Sequence, residues 1–145
     1  MKRIIILGLC SIFMMFICLP AYAADTDIKV LVNGKMVESD APALNVQGSV
    51  MLPFRAILNA IGVTDNEIEW RAKSQSMEIR HNNRYVFLAI GNRGAVVDTG
   101  MTMLGVAPFI NEGRTMIPIR FIAEAFGADV QWDGDTSTVK IKTKK

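Results

Sequence analysis

The chain has 145 residues, of which 16 are basic and 14 acidic, giving a formal net charge of +2. This length accommodates one ordinary domain or two very small ones. The small charge argues against electrostatic capture of nucleic acid or anionic lipid.

The first 23 residues have the layout of a secretory signal peptide. Lys2-Arg3 precedes an apolar run, residues 4–19, which ends at Pro20. Ala21-Tyr22-Ala23 then supplies the small residues of a cleavage site, which predicts cleavage between Ala23 and Ala24. An uncleaved anchor is the alternative, but the run is short for a helix that must cross a core of about 30 Å.

The predicted mature part, residues 24–145, is neutral and lacks cysteine. Cys10 and Cys18 lie in the signal, and the loss of Lys2 and Arg3 leaves 14 basic and 14 acidic residues. Since no disulfide can brace it, the mature part must fold around an apolar core. One domain of this size buries enough surface, whereas two independent units of about 60 residues would each be marginal. We expect no membrane span after signal removal.

The mature part begins with a predicted hairpin and continues to a short helix. Residues 28–32 alternate in polarity before the turn Asn33-Gly34, which is typical of a β-hairpin. Pro53 suits the first turn of a helix, and apolar residues then follow at helical spacing up to Gly62, where a left-handed residue would end it. A helix of about ten residues is expected here. A closing hairpin follows, with Trp70 in its first strand.

The second half repeats this order. Residues 51–62, MLPFRAILNAIG, correspond at an offset of 65 to residues 116–127, MIPIRFIAEAFG. The residues that recur in both copies are Pro53 and Pro118, Arg55 and Arg120, Gly62 and Gly127, and Trp70 and Trp132. The first copy has three extra residues between its glycine and its tryptophan. We predict two diverged repeats, about 28–81 and 84–143, each with three strands, one helix and two strands, joined at residues 81–84. The repeats should pack as one unit or share sheet strands.

This pattern resembles the copper amine oxidase N-terminal-like domain, also called the stalk domain, which recurs in secreted and cell-surface proteins of Gram-positive bacteria. The similarity covers residues 28–141. It is closer in the second copy, because the first copy departs from the family pattern and has Arg71 where the second copy has Asp133. It implies an α+β fold in which each repeat is a twisted antiparallel sheet packed on one short helix. It implies neither a copper site nor a quinone cofactor.

The residues offer little for catalysis or metal binding. His81 is the single histidine, too few for an oxidase copper site, and we interpret it as a solvated loop residue. Met101 and Met103 could bind Cu(I) as thioethers, but ordinary packing is the preferred interpretation. Asp133-Gly134-Asp135 resembles the start of a calcium loop, yet the twelfth position is Lys144 rather than glutamate, which favours a hairpin turn. We predict no catalytic residue, metal site or cofactor.

The recurring arginines and tryptophans remain the candidates for ligand binding. Arg55 and Arg120 lie where a cation opposes the helix dipole, so each needs a compensating contact. We expect a structural partner, either a loop carbonyl or an acidic residue (Glu69 in one copy, Asp129 or Asp133 in the other). The alternative is a grip on an anionic ligand. Trp70 and Trp132 could stack on a sugar but are predicted to lie in the core.

The sequence therefore predicts an exported, non-catalytic module that binds or spaces, with cell-wall glycan or another protein as its partner. A secreted inhibitor or accessory protein of an enzyme is the alternative. Copper handling is a third hypothesis.

Overall fold

The computed structural model describes residues 27–144, which form a mostly β structure with two short helices. The predicted signal peptide and its cleavage site lie outside the described residues. The strands are β1 (Lys29–Val32), β2 (Lys35–Met36), β3 (Leu44–Val46), β4 (Ser49–Pro53), β5 (Ile68–Arg71), β6 (Ser76–His81), β7 (Arg84–Ala89), β8 (Gly94–Val97), β9 (Gly100–Met103), β10 (Phe109–Asn111), β11 (Arg114–Pro118), β12 (Asp129–Asp133) and β13 (Thr138–Lys142). The helices are α1 (Phe54–Ala60) and α2 (Ile119–Ala125), and a 3₁₀ turn spans Asp65–Glu67.

The strands form three sheets that draw on both halves of the chain. Their orders are β12-β13-β1-β2, β10-β11-β4-β3 and β5-β6-β7-β8-β9. Every pairing is antiparallel except that of β1 with β13, which is parallel. The halves thus share strands in all three sheets, which is one of the two arrangements expected from the sequence.

The middle sheet is centred on the pairing of β4 with β11. Leu52 faces Ile117 in that ladder, and the same two residues correspond at the offset of 65. A two-fold rotation that exchanges Leu52 with Ile117 therefore superposes β4 on β11 and β11 on β4. The exact offset also relates β1 to β8, β3 to β10 and α1 to α2. Strands β5 and β6 correspond to β12 and β13 at an offset of 62, because the first half has the longer connection.

Strand β7 is the element that breaks this correspondence. It pairs with β6 on one side and β8 on the other, antiparallel in both cases, so β6 and β8 run parallel to one another. Their counterparts β13 and β1 are parallel and directly hydrogen-bonded. The predicted joint at residues 81–84 is the tight turn from β6 to β7, in which Asn82 and Asn83 adopt φ of 49° and 59°.

The helices are shorter than predicted and begin one residue later. Pro53 and Pro118 end strands β4 and β11 and precede the helices instead of lying in their first turns, and each helix has seven residues. Gly62 and Gly127 follow the helices in the left-handed region, with φ of 98° and 81°. The prediction of three strands before each helix is wrong, since four precede α1 and five lie between the joint and α2.

The core lies between the sheets and the inner faces of the helices. Side chains at offset-related positions fill it from both halves, and these are Leu52 and Ile117, Ile57 and Ile122, and Leu58 and Ala123. All six are at most 3% exposed. Within residues 27–144, neither helix has the length or the apolar character needed to cross a membrane.

Candidate functional site

Two surface clefts occupy offset-related places. The first, the Trp132 cleft, has a volume of about 610 Å³, and its walls include Ser49, Met103, Gly105, Arg120, Glu124 and Trp132. The second, the Trp70 cleft, has a volume of about 650 Å³, and its walls include Asp40, Arg55, Trp70, Ile110 and Arg114. Each cleft combines the tryptophan and helix start of one half with the turn between two strands, β3–β4 or β10–β11, from the other half.

The tryptophans lie at the margin of the core rather than inside it. Trp132 faces Val139 across the ladder, and Val139 faces the buried Val30, so all three lie on the core side of the sheet. Strand β12 is an edge strand, however, and Trp132 remains 46% exposed. Trp70 on edge strand β5 is 37% exposed for the same reason. The prediction of buried tryptophans is therefore wrong.

Arg120 contacts groups on its own helix and on the neighbouring strand. Its Nη1 donates to the carbonyl oxygen of Val130 at 3.3 Å and lies 3.6 Å from Oε1 of Glu124. The side chains of Arg120 and Glu124 are 58% and 52% exposed, so a ligand in the cleft can reach both. The expected carbonyl contact is present, although the carbonyl belongs to a strand.

Arg55 is held more loosely than Arg120. Its Nε lies 3.8 Å from Oδ1 of Asp65 in the 3₁₀ turn, and its guanidinium stacks 5.0 Å from the ring centroid of Phe54. A 3.8 Å separation between exposed groups stabilises little. The side chains of Arg55 and Arg120 are 68% and 58% exposed.

The acidic partners predicted for the arginines bind other cations. Glu69 accepts from Arg71 at 3.0 Å, Asp129 pairs with Lys144 at 3.3 Å and Asp133 pairs with Lys140 at 2.7 Å. The physical reason is strand alternation: each acid stands one or three residues from the tryptophan of its strand and so points to the opposite face. The Lys140 ammonium lowers the pKa of Asp133 below its ordinary value.

An ion pair distinguishes the two clefts. In the Trp70 cleft, Nε of Arg114 donates to Oδ2 of Asp40 at 2.8 Å. The offset-related residues in the Trp132 cleft are Ser49 and Gly105. These two approach so closely that a Cβ on Gly105 would lie 3.1 Å from Oγ of Ser49. Ser49 and Gly105, which are small and uncharged, thus occupy the positions in the Trp132 cleft that the Arg114–Asp40 ion pair occupies in the Trp70 cleft.

The two methionines and the histidine lie elsewhere than predicted. Met101 and Met103 are 80% and 67% exposed on edge strand β9, so the packing interpretation is wrong. His81 is not a solvated loop residue: its side chain is 15% exposed, and Nδ1 lies 2.9 Å from Oε1 of Glu67. Its ring meets the edge of Phe126 with centroids 5.9 Å apart. No group of three or more His, Cys, Asp or Glu residues in the described range could hold a metal ion.

Two turns flank the strands that carry the tryptophans. Asp133-Gly134-Asp135 lies at the β12–β13 turn, as predicted, where the Thr136 N–H donates to Asp133 at 3.3 Å. In the 3₁₀ turn, Glu67 accepts from the backbone N–H of Thr64 at 2.8 Å. That bond, together with those from His81 and the Thr64 hydroxyl, lowers the pKa of Glu67 to about 2.

One family of domains matches nearly all of the described residues. The family model of the copper amine oxidase N-terminal domain matches residues 31–141. The chain belongs to this family. In the amine oxidases this domain is a non-catalytic module, and the match is to this domain alone.

A curated relative adds a second comparison. A Brevibacillus choshinensis protein named "Protease inhibitor" is 25% identical over 113 residues. These residues are 78% of this chain but 34% of the relative, so the chain spans about a third of that protein's length.

Proposed function

We propose that the chain is an exported, non-catalytic module of two diverged repeats that binds cell-wall glycan at the cell surface. In this proposal residues 1–23 are a signal peptide and residues 24–145 are the working domain. Repeat one covers about 28–81 and repeat two lies within 84–143, with β7 as a strand inserted before the counterpart of β1. The exposed indole of Trp132, beside Arg120 and Glu124, is the observation that carries the proposal.

The chemistry of the Trp132 cleft suits a sugar ring. A pyranose has an apolar face of C–H groups and a rim of hydroxyls, so it needs a flat apolar platform and nearby hydrogen-bonding groups. Trp132 offers the platform, while Arg120 donates, Glu124 accepts and Ser49 does both. Pockets that combine apolar walls with a few oriented polar groups are typical ligand sites. A role as a spacer alone would require none of these groups to be accessible.

Retention on purified peptidoglycan tests this proposal. The protein spanning 24–145 should sediment with the polymer, and Trp132→Ala should weaken binding roughly tenfold, the equivalent of about 1.4 kcal/mol. Trp70→Ala is the matched control, because its cleft is crossed by the Arg114–Asp40 pair. Thermal unfolding shows whether each variant is folded, and Glu124→Gln tests the cleft without removing an aromatic ring. Equal losses for the two tryptophan variants, or no retention of the unmodified protein, would exclude this site.

The second candidate is a secreted inhibitor or accessory protein of an enzyme. The name of the Brevibacillus choshinensis relative favours this candidate, and an inhibitor needs no catalytic groups of its own. A fixed amount of a secreted serine protease is titrated with the protein, and stoichiometric loss of proteolysis without retention on peptidoglycan would support this candidate over the first. Copper handling, the third hypothesis, has the exposed Met101 and Met103 as its ligand candidates.

A further inference from the structure

Strand β9 is an exposed, uncharged sheet edge. It forms the border of the five-stranded sheet and reads Gly-Met-Thr-Met over residues 100–103. All four residues are exposed, and Met101 and Met103 are the two most exposed large apolar side chains in residues 27–144. Unpaired edges of this kind recruit further strands, and proteins normally protect them.

The other edge strands of the described sheets carry the usual protections. Charged residues occur in β2, β5 and β12, while the uncharged β3 and β10 have three residues each. Strand β9 has four residues, no charge and no proline. Its offset-related strand β2 has two residues, one of which is Lys35. The edge strand at this position is thus protected against strand pairing by a lysine in the first half, whereas β9 in the second half has no such protection.

The backbone of β9 presents its free groups at the two methionines. The N–H of Leu104 donates to the carbonyl oxygen of Arg93 at 2.7 Å. Leu104 and Arg93 are therefore a hydrogen-bonded pair that continues the β8–β9 ladder by one residue. Hydrogen-bonded pairs alternate along an antiparallel ladder, so Thr102 and Gly100 also bond toward β8. The N–H and C=O groups of Met101 and Met103 therefore point away from β8, toward the open edge.

We propose that β9 pairs with β9 of a second copy of this chain, in antiparallel register about a two-fold axis through Thr102. Met101 of each copy then faces Met103 of the other, and the outward N–H and C=O groups of both strands bond to one another. The strand is self-complementary, as an isologous interface requires. No like charges oppose each other in it, and residues 24–145 carry equal numbers of basic and acidic residues. Flexible thioethers pack well against their own kind.

Sedimentation equilibrium of the protein spanning 24–145 tests the pairing. The dimer fraction should rise with concentration, and Met101→Lys should weaken self-association at least tenfold. Met36→Lys is the matched control: it makes the same change at the offset-related, 53% exposed position of β2 and should leave self-association unchanged. A protein that stays monomeric up to millimolar concentration, or equal effects of the two lysine variants, would overturn the proposal.

A backbone variant separates strand pairing from simple contact between methionines. Met101→Pro removes an N–H that points to the open edge and leaves the bonds to β8 in place, a position where an edge strand tolerates proline. This variant should abolish the dimer while circular dichroism shows an unchanged fold. If the proline variant dimerises as the unmodified protein does, β9 pairing is excluded. The test reports association alone, so its outcome does not depend on whether the Trp132 cleft binds glycan.

Discussion

Glu67 holds a histidine that contacts the other half of the chain. It lies in the 3₁₀ turn, which occupies the longer connection of the first half, and accepts bonds from Thr64 and His81. His81 in turn packs against Phe126 at the end of α2. The longer connection of the first half thus supplies the partner of His81, and His81 contacts the residue that follows the second helix.

The lowered pKa of Glu67 predicts a specific loss of stability in acid. Its pKa falls from 4.5 to about 2 in the folded protein, so the stabilisation is complete above the unfolded value and is lost progressively as pH falls from there through about 2. Glu67→Gln should therefore lower the unfolding temperature by a constant amount above about pH 5.5. The difference from the unmodified protein should shrink as pH falls below about 4.5 and be small near pH 2. Glu38→Gln, at an exposed position, serves as the control, and a pH-independent difference for Glu67→Gln would contradict the assignment.

At the scale of residues, the repeated pattern identified residues that line two clefts, but it did not predict how exposed their side chains are. The recurrence of arginine and tryptophan in both copies led to the two clefts. Exposure of the tryptophans could not be predicted, because it depends on β5 and β12 being edge strands. Strand alternation places Glu69 and Asp133 on the sheet face opposite the neighbouring tryptophan, so these acids are poor partners for the arginines. Ser49 and Gly105 correspond at the offset of 65 to Arg114 and Asp40, so this difference between the two clefts is encoded in the sequence.

The C-terminal end of α2 depends on a side chain from the β6–β7 hairpin. Arg84 donates from Nε and Nη2 to the carbonyl oxygen of Ala125 at 3.0 and 2.9 Å, and its Nη1 lies 2.8 Å from Oδ2 of Asp98. A cation at this end of a helix also complements the helix dipole. The hairpin that joins the two halves therefore stabilises the second helix directly.

Removal of this contact should destabilise the domain measurably. Arg84→Ala should lower the free energy of unfolding by about 1–2 kcal/mol, the range for charged hydrogen bonds reduced for partial exposure. Arg84→Lys keeps a cation near Asp98 but loses the planar fork, so its loss should be intermediate. Urea unfolding at neutral pH provides the measurement. A loss in the lysine variant equal to that in the alanine variant would show that the fork, rather than the charge, carries the whole effect.

Elements with strong local signals were predictable, and short ones were not. The turn at Asn33-Gly34 and the closing hairpins follow from residue type and alternation. Strands β3 and β10 have three residues each and lack enough alternation to be recognised. Each helix ends two residues before the glycine that adopts the left-handed conformation. The parallel pairing of β1 with β13 is a long-range contact that no local pattern encodes.

Strand pairings between the two halves hold the described domain together. Strand β1 needs β13, β4 needs β11, and β6 needs β7. The core likewise takes side chains from both helices, with Ile57 and Ile122 each fully buried. The two halves of the described chain therefore complete each other's sheets, even though each contains a helix and strands of its own.

This arrangement predicts that neither half folds alone. The fragments 24–81 and 84–145 would each lose a partner in every sheet, and a unit of about 60 residues has little core to compensate. Circular dichroism of each isolated fragment should show no cooperative thermal transition. An equimolar mixture should recover the β spectrum and a single transition, because the shared ladders of β4 with β11 and β1 with β13 can re-form between fragments. The intact chain 24–145 is the reference. A cooperative transition in either fragment by itself would mean that each repeat is an independent folding unit, and the shared strands would then be a docking interface rather than the basis of the fold.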